Sequence, residues 1–214
     1  MEPQWIIAIA SSVAALGVLG VIYQTRTAIQ QLDTTIQSLK ADHERSRRER
    51  AVELLRHWDS NLTLSGAVAR KFAESLNFET SKCLYQQKPF KIKNTHYGLF
   101  VGCLSPASAK QRREEKPDED IEVTERESSE IRWAVLSYLN HLETVLAAVR
   151  HNVADKEMLY EQFTYLVSPS DGHYLLEDFR RAAGGGATYP SIEAFADELK
   201  AKHQISSPGK EPVA

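Results

Sequence analysis

The sequence predicts an all-α protein in which one N-terminal transmembrane helix continues into a helical, coiled-coil-like stalk and then a cytoplasmic helical bundle. Three observations predict it. Trp5 to Tyr23 is a run of 19 residues without a charge. Past Tyr23 the apolar residues recur at alternating threes and fours. Between Glu130 and His151 they widen into a stripe suited to the middle of a bundle. The expected organisation is a short external N-terminus (1–4), the span (5–23), the stalk (24–57), a cytoplasmic helical domain (58–203) with a charged loop near 105–128, and a disordered tail (204–214).

At about 1.5 Å rise per residue the first run makes a helix of roughly 28 Å, close to the ~30 Å hydrocarbon core of a bilayer. Trp5 and Tyr23 bracket it, where amphipathic rings favour the headgroup interfaces. A cleaved signal peptide would need a basic leader and a small-x-small site after the apolar core. Met1-Glu2-Pro3-Gln4 has no Lys or Arg, and Ala8-x-Ala10 lies inside the run. A buried soluble helix would show a polar face, and only Ser11 and Ser12 offer one. No Lys or Arg precedes the span, whereas Arg26, Lys40, Arg45, Arg47, Arg48 and Arg50 follow it. That asymmetry places the N-terminus outside and the body in the cytoplasm. Two cysteines, Cys83 and Cys103, fit a reducing compartment as thiols, and would also allow one disulfide. The Asn61-Leu62-Thr63 sequon has no meaning on a cytoplasmic body. Ala10 and Ala14, or Ser11 and Ala15, give the small-xxx-small spacing that lets helices approach in lipid.

In the stalk, Ile22, Thr25, Ile29, Leu32, Ile36 and Leu39 trace a heptad seam. Ile at the first core position and Leu at the second favours a parallel two-stranded coil. The same stripe would also serve an amphipathic helix packed on its own domain, and fewer than three clean heptads leave both readings open. Ile29, Leu32, Ile36 and Leu39 are therefore the candidate self-association seam, with a homodimer as the expected partnership. The basic stretch Arg45 to Arg50 is interleaved with Glu44, Glu49 and Glu53, the pattern of a solvated helix face. With a formal charge of −3 and no basic stripe flanked by stacking aromatics, the chain is not expected to bind nucleic acid.

In the body, Val68, Phe72 and Leu76 predict a helix over Gly66 to Leu76. Phe78 to Leu104 does not resolve into helix or short strands. Val135, Tyr138, Leu139, Leu142, Val145, Leu146 and Val149 predict the central helix, with Asn152 closing it. Asp155 caps a helix through Met158, Leu159, Phe163 and Leu166. A shorter helix over Gly172 to Ala183 ends at Gly184-Gly185-Gly186, and Ser191 caps a last one carrying Ile192, Phe195, Ala196 and Leu199.

Catalytic spacing is missing. The His residues form no His-Glu-x-x-His and the cysteines no Cys-x-x-Cys, so neither a metal nor another cofactor is expected. Gly184 to Gly186 lacks the preceding strand and following Lys-Ser/Thr of a phosphate loop. There is no Gly-x-Ser-x-Gly. One polar constellation stands out: Asn140, Glu143 and Arg150 share one side of the central helix, with Asp155 just beyond. It reads as a network fixing helix register, as a recognition or catalytic site, or as plain surface exposure.

Leu139-Asn140-His141-Leu142-Glu143, followed by Arg150, Asp155, Tyr160 and Phe163, resembles the core motif of a family of uncharacterised bacterial proteins. In that family one N-terminal span precedes a cytoplasmic helical domain of unknown function. The resemblance covers Arg132 to Phe163 and departs from the family's aromatic-rich continuation at Ser168-Pro169-Ser170-Asp171. It implies a bacterial inner membrane and an all-α body, and it carries no catalytic residue. The leading expectation is thus a membrane-anchored interaction or scaffold protein that docks an unknown protein partner. The alternative is a membrane-bound enzyme or defence-type effector using Glu143, Arg150 and Asp155. A sensor signalling through stalk and span is a third reading, weakened by the four residues left outside.

Overall fold

The computed structural model describes the backbone of residues 4–113, 120–168 and 173–206, and side chains over most of these. The chain is mostly helical, as expected, and divides into two units, Met1–Ser46 and Arg47–Ala214.

The first unit consists of helix α1, which runs from Gln4 to Asn61 and so extends into the second unit. No Gly or Pro interrupts it between Gln24 and Asn61, and Thr25, Thr27, Thr34 and Thr35 return their hydroxyls to carbonyls one turn back. Such bonds spare these β-branched residues a competing non-helical partner. Along this stretch Ile29, Leu32, Ile36 and Leu39 are 58%, 60%, 39% and 63% exposed. Among the described residues no helix is long and apolar enough to cross a membrane. Most side chains of Trp5–Tyr23, including 5–16, 18 and 19, lie outside the described residues, although the backbone there is helical.

The second unit is a helical body with one continuous core. Ala51, Leu54 and Trp58 of α1 enter it. Only Leu62 and Thr63 separate α1 from helix α2 (Leu64–Glu74), which the Thr63 side chain caps by accepting from the Gly66 amide. It packs on α4 (Tyr97–Cys103) and on α6 (Glu125–Arg150), while α3 (Phe78–Tyr85) packs on α8 (Glu177–Ala182). Helix α7 (Lys156–Phe163) follows α6, and α9 (Pro190–Ser206) lies against α6. All seven apolar residues that predicted the central helix are buried.

Two findings depart from the all-helical expectation. Strand β1 (Phe90–Ile92) pairs antiparallel with β2 (Ile121–Val123), and β3 (Val167–Ser168) with β4 (His173–Tyr174). In the first ribbon Phe90, Ile92, Ile121 and Val123 face the core, while Lys91 and Glu122 stand opposite each other outside. Strands of three residues are too short to print a period of two. The segment expected as a charged loop also begins as a helix, α5 (Pro106–Arg113), which buries only Ala109. The rest of that loop, 114–119, lies outside the described residues, as do the departure at 169–171 and the tail from 207 onward.

The last helix also starts differently. Helix α9 begins at Pro190, ahead of the expected cap Ser191, since proline's missing amide costs nothing in a first turn. The body's boundary at Arg47 precedes the expected residue 58, because the final turns of α1 belong to the core.

Candidate functional site

The central helix carries several of the body's polar junctions. Its N-terminus is a capping box: the Thr124 hydroxyl accepts from the Glu127 amide, and Glu127 Oε2 accepts from the Thr124 amide at 2.9 Å. Arg112 of α5 then grips the same carboxylate with two donors, at 2.6 and 2.7 Å. Burial pushes the Glu127 carboxyl upward, but the bonds from Arg112 and Thr124 outweigh it and hold the group below its ordinary range. This junction ties α5, β2 and α6 together.

The predicted constellation is divided among several tasks. Glu143 reaches the N-terminus of α9, where its oxygens accept from the amides of Ser191 (2.9 Å) and Ile192 (3.0 Å). A carboxylate suits this place, since first-turn amides have no intrahelical partner and the helix dipole favours negative charge. Asp155 caps α7 by accepting from the Met158 amide at 3.0 Å, and it pairs with Arg48 at 3.7 Å. Asn140 and Arg150 are exposed. Glu143 and Asp155 therefore serve different helices. Among the described residues no group of three or more His, Cys, Asp or Glu is placed to hold a metal ion.

The basic stretch is similarly divided. Arg47 is half-buried: its carbonyl accepts from the Asp155 amide at 3.1 Å and its guanidinium donates to the Ala154 carbonyl. Together with Arg48 it latches the α6–α7 turn to α1. Asn152, at φ 61, makes the left-handed exit from α6 that the sequence suggested. Cys83 and Cys103 are free thiols, and burial pushes Cys103 up to about 12.

Two features have no counterpart among the sequence-based candidates. Arg180 is fully buried, donating to the carbonyls of Leu175 (2.8 Å) and Tyr174 (2.9 Å) and pairing with Glu193 of α9. It braces Leu175 and Leu176, consecutive residues at φ 54 and 59, a conformation that costs leucine roughly 1–2 kcal/mol per residue. The second is a cleft of about 150 Å³ between the α1–α2 turn and α6. Trp58 and Tyr138 form its wall, and Asn61, Ser137 and His141 are at its lining. The available signal was Ser137 and His141, polar residues four apart beside the apolar stripe of α6.

The chain is a member of an uncharacterised family, the one described as Domain of unknown function (DUF4760), whose match spans residues 6–198. That span extends the short Arg132–Phe163 motif to nearly the whole chain. No curated protein and no solved structure matches it.

Proposed function

We propose that the protein is a non-enzymatic, membrane-anchored interaction protein that self-associates as a parallel pair through the seam Ile29, Leu32, Ile36 and Leu39. In this reading Trp5–Tyr23 spans a bacterial inner membrane once, with the N-terminus outside and the helical body in the cytoplasm to dock a protein partner. The observation that carries it is the exposure of four large apolar side chains at heptad spacing on an uninterrupted helix. Leaving such a row in water forfeits about 25 cal/mol for every Å² that a partner would cover. Two copies entering from the same membrane supply that cover in register, and the Ile-then-Leu order fits a two-stranded coil. The uncharged length of Trp5–Tyr23 and the one-sided distribution of Lys and Arg support the anchor and its orientation.

The test is cysteine crosslinking in native membranes, with single cysteines at Leu32, Ile36 or Asp33 in a Cys83→Ala, Cys103→Ala background. Strong crosslinking at Leu32 and Ile36 with little at Asp33 is expected. Equal crosslinking at all three, or none, would contradict a paired seam.

A further inference from the structure

We infer that the cleft between the α1–α2 turn and α6 is a binding site for a small, uncharged, ring-shaped molecule bearing hydrogen-bonding groups. The volume sets the size: about 150 Å³ holds roughly one six-membered ring. Charge sets the class. Asp, Glu, Lys and Arg make up 26% of the chain, yet none of the ten lining residues is one of them. An anion or cation entering this cleft would lose hydration with no Asp, Glu, Lys or Arg at the lining to pair with it, which is costly. A neutral molecule loses far less.

The wall is built to receive a ring. The indole of Trp58 meets Tyr138 edge-on at 5.3 Å and Phe163 edge-on at 5.2 Å, so both wall residues are buried and fixed in place. A rigid aromatic wall presents its small open edge with little further loss of side-chain freedom. Its polar groups are also held. Asn61 donates to the His57 carbonyl at 2.7 Å, leaving its amide oxygen as an acceptor, and His57 stands edge-on to His141 at 6.2 Å. Ser137 adds a hydroxyl on the α6 side. A few convergent polar groups around an apolar wall are what orient a small ligand. This site does not depend on self-association, since every residue lining it belongs to the body.

Saturation-transfer NMR on the full chain in detergent, with phenol and benzyl alcohol as neutral probes and benzoate and benzylammonium as charged ones, tests the site. The neutral rings are expected to bind at least tenfold more tightly than the charged pair. Ser137→Phe fills the cleft from its exposed rim and should weaken binding at least tenfold; Ala134→Leu narrows the α6 wall and does the same if the larger ring unfolds the body. Leu64→Ala, outside the lining, should leave binding unchanged. Transfer that persists in both filled variants would be partition into detergent, and would overturn the site. So would equal binding of neutral and charged rings, or no transfer to the native chain at millimolar probe.

Discussion

Leu32 and Leu54 lie on the same helix, yet Leu32 is 60% exposed and Leu54 only 7%. Around Leu32 the apolar positions are Ile29, Ile36 and Leu39, all open to water; around Leu54 they are Ala51 and Trp58, both in the core. Apolar stripes of similar spacing thus have opposite environments in the two units. In the body the core residues are buried within one chain, although Leu64, Trp133 and Tyr165 stay 83%, 67% and 65% exposed, and polar residues such as Glu143, Asp155 and Arg180 hold helices together. Among the described side chains of the first unit, Ile29, Leu32, Ile36 and Leu39 are left exposed by a single chain. The difference teaches that the body's polar residues hold a packed fold together, whereas the seam's apolar residues stay open to water in a single chain.

The comparison is sharpened most by the core. Phe72→Ala removes a fully buried ring and should cost the body about 3–5 kcal/mol, read by denaturant unfolding, without altering crosslinking along the seam. Arg180→Met should cost about 3 kcal/mol, since it leaves the carbonyls of Tyr174 and Leu175 without their donor and breaks the buried pair with Glu193. A loss of less than 1 kcal/mol would mean the two left-handed leucines hold without a brace.

Smaller effects follow at the caps. Glu143→Ala should cost about 1–2 kcal/mol and raise amide hydrogen exchange at Ser191 and Ile192, because the first turn of α9 loses its acceptor. Unchanged stability and exchange would mean that Glu143 does not cap α9. Glu127 predicts the response to acid. Its carboxyl is held below the ordinary value of 4.5, so it contributes stability that is present above that pH and lost as pH falls through its lower folded value. Glu127→Gln should flatten the acid limb of an unfolding curve measured below about pH 4.5. Smallest of all, Leu32→Ala should change the body's unfolding by no more than about 0.5 kcal/mol, as expected for an exposed site.

Much of the body was legible because helices write their packing locally. Val135 to Val149 is a stripe of threes and fours, and Asp155 is an acidic cap just before an apolar run, so both could be read directly. Glu143 was also singled out, but its role was not visible, since the amides it accepts from belong to residues 191 and 192, 48 and 49 positions away. Helix α5 was hidden by its charge, having a single buried residue to mark a face. Leu175 and Leu176 were hidden for a different reason. Leucine carries no local signal for a left-handed turn, and the Arg180 bonds that brace it come from five and six residues further on. The cleft was hidden because Trp58 and Tyr138 look like core residues on their own helices.

The most direct measurement is sedimentation equilibrium of the full chain in density-matched detergent, comparing the native protein with Leu32→Glu, Leu39→Glu. The native chain should sediment at twice its own mass and the double variant at its own mass, with the body's unfolding midpoint the same in both. A native chain that sediments as a single copy, or a double variant that remains paired, would contradict the assignment of the open seam to a second copy.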